Sequence, residues 1–361
     1  MRTFVVGFAA AAGLSVATAA SAQDWENVPV VRHAELQGVN ASGAPTYSGG
    51  FPLRVQGVLL CDPGDVFDDT PNFIPFSGPG SLFQFGARQQ PYVQAVDPND
   101  SGGTALFLAQ CVGNHPANQD TALSYTNDAW LAELDRTNFD ADTGHRFQAG
   151  DLVEVRARIG LHFSGKFNIN EAHSINPAND YEIVLIQAGF GLPEPTAFGL
   201  PDVFDDAGEA IFDETRQTGG EAYQATRVEL VIAEVLDASN WSASGTITVT
   251  DGTRTMEVLV GSDPAFNTEP APSGEVRIRG IFDQEASPSP IGGQNGYRLV
   301  LVNPDEITHA ADLDFSSTVN TLDLIAFINE FRAGEDRTDL NRDGSVNTLD
   351  LIRYINLFRG V

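Results

Sequence analysis

Residues 339–359 read DLNRDGSVNTLDLIRYINLFR, and residues 312–332, 27 positions earlier, read DLDFSSTVNTLDLIAFINEFR. Thirteen of the twenty-one aligned positions are identical, which marks two similar units that pack on each other. The first twelve residues of the later copy place oxygen-bearing side chains at positions 1, 3, 5, 9 and 12: Asp339, Asn341, Asp343, Asn347 and Asp350. Ser345 at position 7 adds a main-chain carbonyl, and Val346 at position 8 is set to pair with Val319 of the other loop. Alternate side chains pointing inward enclose a hard cation such as calcium. Gly344 at position 6 permits the sharp turn that a Cβ would resist.

After each loop the spacing predicts a helix. Leu349, Ile352, Ile355 and Phe358 match Leu322, Ile325, Ile328 and Phe331. A step of three winds slowly around one face, giving each helix an apolar stripe. For the leucines and isoleucines the reading is that the stripe serves the pair's own core, leaving a partner the charged and Thr-Leu edges. Gly360 ends the second helix in the usual way.

Position 12 is aspartate where ordinary calcium loops carry glutamate. Duplicated loops of this form, each followed by a helix at a chain terminus, resemble the dockerin modules of bacterial extracellular proteins. The resemblance covers about residues 310–361. It implies calcium ligands Asp339, Asn341, Asp343, Ser345, Asn347 and Asp350, and Thr321-Leu322 and Thr348-Leu349 facing a cohesin-like receptor or surface scaffold. In the earlier loop it points to Asp312, Asp314, Ser316, Thr318, Asn320 and Asp323. Ser316 and Ser317 there replace the usual aspartate and glycine, so that loop is expected to bind calcium weakly or not at all. Ile328-Asn329 and Ile355-Asn356 stand where such modules often carry Lys-Arg, and receptor identity does not carry over.

Upstream, short apolar runs bounded by Gly, Pro, Asn and Asp read as strands. They include Leu53–Cys61, Ser81–Ala87, Ala105–Ala109, Leu152–His162, Tyr181–Gln187, Arg227–Leu236, Thr246–Asp251, Arg254–Val260, Glu275–Phe282 and Tyr297–Val302. Thr126–Asn138 reads as a helix. Opening strands near Leu53 and Arg227, valine–arginine runs near Val153 and Val276, and closing strands near Tyr181 and Tyr297 suggest one architecture used twice. The fold class expected is mainly β: two small barrels, at 23–190 (with an insertion at about 112–146) and 222–305, then the helical calcium module at 306–361. Residues 191–221, rich in proline and glycine, read as a linker. The barrels resemble the oligomer-binding (OB) folds of bacterial secreted proteins; two β-sandwiches are the alternative.

Residues 1–22 carry an early arginine, an apolar run and Ala20-Ser21-Ala22, the layout of a secretory signal peptide. The expected location is therefore extracellular or at the cell surface, with no membrane span. The formal net charge is −29, with a single lysine, Lys166. Such a surface repels phosphate backbones, so no nucleic acid is expected as a partner. In an oxidising compartment Cys61 and Cys111 are expected to form one disulfide, two buried thiols being the alternative.

No GxSxG, HExxH, P-loop or CxxC signature appears. His162, Glu171 and His173 are the nearest approach to an acid–base or metal cluster, against satisfied polar loop residues. Asp62, Asp65, Asp68 and Asp69, and the DVFDD stretch at 202–206, read as solvated loops more readily than as calcium sites. Tyr92, Trp130, Tyr223 and Trp241 are the aromatics available to stack on a sugar, each more often a core residue. The functional expectation is a secreted, non-catalytic protein, docked through calcium and presenting a polysaccharide- or protein-binding surface. The alternative is a dockerin-bearing glycosyl hydrolase of extracellular polysaccharide breakdown.

Overall fold

The computed structural model describes residues 23–73, 86–111, 124–171, 174–287 and 293–360. The expected leader, His173, and parts of the 112–146 insertion and of the strand Ser81–Ala87 lie outside them.

The chain is mainly β. One sheet contains β1 (Leu53–Leu59), β2 (Arg88–Gln89), β3 (Tyr92–Gln94), β4 (Gly103–Ala109), β5 (Leu152–Ala157), β6 (Gly160–Phe163), β7 (Lys166–Asn170) and β8 (Glu182–Gln187). The other contains β9 (Thr196–Phe198), β10 (Arg227–Asp237), β11 (Thr246–Thr250), β12 (Thr255–Val260), β13 (Glu275–Gln284), β14 (Tyr297–Leu301) and β15 (Ile307–His309). The helices are α1 (His33–Leu36), α2 (Asn127–Asn138), α3 (Leu200–Val203), α4 (Thr321–Ala333) and α5 (Thr348–Arg359).

The second sheet closes on itself. Antiparallel pairs join β10 to β11 and β11 to β12, β12 runs parallel to β14, and β13 pairs with both β14 and β10. The result is a five-stranded barrel. Inward residues such as Val228, Leu230, Val249, Val258, Ile278, Phe282 and Leu299 fill it. Each such side chain contributes about 1.5–3 kcal/mol by leaving water.

The first sheet repeats that order with one break. β1, β3 and β4 are successive antiparallel neighbours, and β4 runs parallel to β7. β5 pairs with β1, the chain bends at residues 158–159, and β6 pairs with β7. β5 and β6 together therefore occupy the place of β13. The sequence echo is corrected on one point. The counterpart of β14 is β7, whereas β8 lies outside β5 as β15 lies outside β13. The segment expected as a linker also supplies structure. β9 pairs in parallel with β10, and Phe198, Leu200 and Val203 enter the second core.

Cys61 and Cys111 are two buried thiols, which corrects the expected disulfide. Cys61 follows β1 and Cys111 follows β4, with β3 between those strands. Two strand spacings put their main chains roughly 9.5 Å apart, beyond the ~7 Å between Cα atoms that a disulfide tolerates. Burial, with Asp65 and Asp62 adding negative charge, pushes the Cys61 thiol well up and keeps it protonated.

The two sheets share a seam. Leu60, Val66, Tyr92 and Ala105 from the first pack on Ala225, Ile281 and Val300 from the second. Lys166 Nζ donates to Asp283 Oδ1 at 2.7 Å across it. The tail is fastened in turn: Glu229 of β10, 1% exposed, meets Arg277 and Arg279 of β13 and Arg337 that follows α4.

Candidate functional site

The two C-terminal loops fold alike because the same residues cap the same helices. Asn320 and Asn347 stand at the helix N-termini with φ −147° and ψ −174° in both copies. Their side-chain oxygens accept from Leu322 N and Leu349 N at 2.8 and 2.9 Å. In return Asp323 Oδ2 and Asp350 Oδ2 accept from Asn320 N and Asn347 N at 2.8 and 2.9 Å. This is a capping box, which satisfies orphan donors at each helix start. The other oxygen of each aspartate reaches back to the loop's beginning. Asp350 Oδ1 accepts from Leu340 N and Asn341 N, at 2.9 and 3.1 Å, and Asp323 Oδ1 likewise holds Leu313 N and Asp314 N. Position 12 thus ties both ends of its loop together.

In the later loop Asp339 is 2% exposed. Its Oδ2 accepts from Gly344 N at 2.9 Å, while its Oδ1 is buried without a hydrogen-bond partner. An anionic oxygen withdrawn from water and left without a donor is costly. Asn341, Asp343 and Ser345 are exposed at the loop's rim. The earlier loop gathers its charge in another way. Asp312, Asp314 and Asp323 bring one carboxylate oxygen each to within 4.8 Å of one another. Ser317, in the place of Gly344, adopts φ +61°, so the turn forms without glycine. Burial, opposed by the Thr308 hydroxyl, raises the Asp312 carboxyl above its ordinary range, and Asp314 and Asp323 add to it. Ser316 is exposed, and the Thr318 carbonyl accepts from Ser316 Oγ and Asn320 Nδ2. Both loops therefore carry donor sets that fit a hard divalent cation. The earlier one does so by convergence of charge, the later one by its unsatisfied oxygen.

The helices pack differently from the expected stripe. Their core is Phe327 stacked on Tyr354, with ring centres 3.9 Å apart, together with Leu313, Leu340 and Leu357. Tyr354 donates to the Ala311 carbonyl at 3.0 Å. Leu322, Ile325, Leu349 and Ile352 stand outside at 61, 54, 59 and 55% exposure. Thr321 and Thr348 are exposed beside them. The result is a duplicated apolar ridge on the outer side of the pair.

Other candidates resolve into structural contacts. Glu171 is buried against Arg136 of α2 and accepts from Tyr125 Oη at 3.2 Å. Burial outweighs the arginine and pushes Glu171 up to about 7. Glu133, Glu171 and Asp180 converge, with Arg136 paired to all three. His162 is the exception: it sits on β6 opposite Phe167, and its Nε2 is buried without a hydrogen-bond partner. Asp62, Asp68 and Asp69 accept from Ala149 N, Thr70 N and Gln89 Nε2. Burial, with Asp62 nearby, pushes Asp65 up to about 7. Asp202 and Asp206 are paired with Arg342 and Arg254. Tyr92 and Trp130 are fully buried, and Tyr223 and Trp241 pack against the second core. The aromatics that do line a cleft, Phe67, Phe107 and Phe163, carry no sequence signature.

Among the described residues no helix is long and apolar enough to cross a membrane. No protein-family model matches the chain, and no curated protein matches it. Two solved structures show a distant likeness. A Replication Protein A heterotrimer bound to ssDNA aligns at 11% identity and a TM-score of 0.25, over 81% of this chain and 55% of that one. The single-stranded DNA binding protein from Thermus aquaticus aligns at 12% identity and a TM-score of 0.15, over 70% of this chain and 91% of that one. This chain thus spans about half the length of the first, and superpositions this poor establish no relationship of fold or ligand.

Proposed function

We propose that this is a secreted, non-catalytic modular protein that binds calcium through its duplicated loops and docks through α4 and α5 to a cohesin-like receptor or surface scaffold. In this reading the helix pair is a dockerin-like module, and the two barrels before it are OB-like units presenting a polysaccharide- or protein-binding surface. The closed five-strand order, with its third and fifth strands parallel, supports the barrel assignment.

The observation that carries the calcium reading is the buried Asp339 Oδ1, which has no donor. A divalent ion supplies the compensation that no protein group gives it. Asp339, Asn341, Asp343, the Ser345 carbonyl, Asn347 and Asp350 would hold one ion; Asp312, Asp314, Ser316, Thr318, Asn320 and Asp323 would hold a second. The ridge of Leu322, Ile325, Leu349 and Ile352, doubled by the repeat, supports docking. Monomeric soluble proteins seldom leave matched large apolar residues outside without a use for them.

Titration calorimetry of calcium into the mature chain tests this. Two ions are expected to bind, Asp339→Asn should abolish one of them, and chelator should lower the melting temperature of the helices. No heat at millimolar calcium, with melting unchanged by chelator, sinks the reading.

A further inference from the structure

A cleft of about 260 Å³ opens where the two barrels meet, away from the calcium loops. Its floor is β7. Phe167 and Ile169 of that strand enter the first core. Lys166, Asn168 and Asn170 alternate with them and line the cleft, at only 4, 6 and 3% exposure. Three buried polar residues in a row on one strand face are expensive to keep unless something needs them. Lys166 is satisfied by Asp283 Oδ1 and the Gln284 carbonyl, at 2.7 and 2.6 Å. Arg298 takes the other Asp283 oxygen at 2.7 Å. Asn168 Oδ1 is buried with no donor.

Arg88 completes the lining. Its guanidinium sits 4.4 Å from the centre of the Phe67 ring and makes no ion pair among the described residues. The nearby carboxylates Glu285 and Asp68 act on it only at a distance. Lys166 and Arg298 are paired with Asp283 and Glu285, which leaves Arg88 as the cleft's cation without a direct ion pair among the described residues. An arginine without an ion pair is notable in a chain with 49 acidic residues and a net charge of −29. Phe107 and Phe163 give the cleft apolar walls.

The cleft thus offers one unspent cation, one unspent acceptor and aromatic faces, in a volume suited to a single six-membered ring. We propose that it binds an acidic sugar unit. The carboxylate pairs with Arg88, a hydroxyl donates to Asn168 Oδ1, and the ring lies against the phenylalanines. A polyphosphate backbone is a poor fit, because its affinity depends on several cations neutralising several phosphates. The proposal rests on the reading that the barrels present a ligand surface and is independent of calcium.

The test is titration of the full mature chain with tetragalacturonic acid, its methyl ester and an oligothymidylate, all in chelator so that calcium cannot bridge. The acid is expected to bind, and the neutral ester to bind roughly tenfold or more weakly, as loss of a charge-assisted hydrogen bond implies. Arg88→Gln and Asn168→Ala should each weaken the acid, with melting temperature checked for both. Phe163→Ser, at a half-exposed position, should weaken it without disturbing the fold. Equal affinity for acid and ester, undiminished binding by folded Arg88→Gln, preference for the oligothymidylate, or no binding of any probe overturns the proposal. Calcium uptake by the tail is read in a separate experiment, so either reading fails alone.

Discussion

The two loop–helix copies share most of their residues yet solve the same problem with different means. The later copy keeps glycine at the turn and leaves one oxygen of Asp339 unanswered. The earlier copy lacks that glycine, bends at Ser317 instead, and gathers three carboxylates. Fidelity to a loop template and convergence of charge are therefore separate properties. The template ranks the later loop first, whereas the geometry gives the earlier one the denser charge.

Four experiments break or sharpen that comparison. The largest effect is expected from the shared core. Phe327→Ala and Tyr354→Ala should each cost about 3–5 kcal/mol, read as loss of helical signal in denaturant. A marked difference between them would show that one copy carries the pair. Next come Asp350→Ala and Asp323→Ala, each of which orphans three backbone donors. About 2–3 kcal/mol is expected from each without calcium, and unequal losses would show that the copies do not hold their loops alike. The turn residues give a smaller, reciprocal test. Gly344→Ser should cost about 1 kcal/mol and Ser317→Gly should recover a similar amount, measured by melting in chelator. The smallest effect belongs to Leu322→Ser and Leu349→Ser, which should change stability by less than about 0.5 kcal/mol. Receptor capture, if the docking reading holds, should fall for both.

Much of this was legible beforehand. The period of 27, the two terminal helices and most strands follow from local pattern. The misplaced elements have physical reasons. A spacing of three residues falls about 60° behind each helical turn, so a four-residue stripe wraps about half the cylinder. Leu349 and Ile352 consequently face outward, while Phe358 packs on the pair's core. β7 carries no strand pattern in the sequence, because its cleft face is Lys166, Asn168 and Asn170, which reads as loop. The apolar pattern therefore places the closing strand at Tyr181 and its neighbours. β9 hid in a proline-rich stretch because an edge strand tolerates such flanks. The cleft itself assembles from segments far apart in the chain, and no local motif foretells it.

Glu229 sits in a knot of three arginines, with Arg277 and Arg279 on one barrel strand and Arg337 beyond α4. The tail is consequently no swinging tether. Tension applied to α4 and α5 enters β10 and β13 through that knot and loads the barrel directly. A partner that grips the helices fixes the attitude of the cleft in space, and the slack that governs linked binding sites is largely absent.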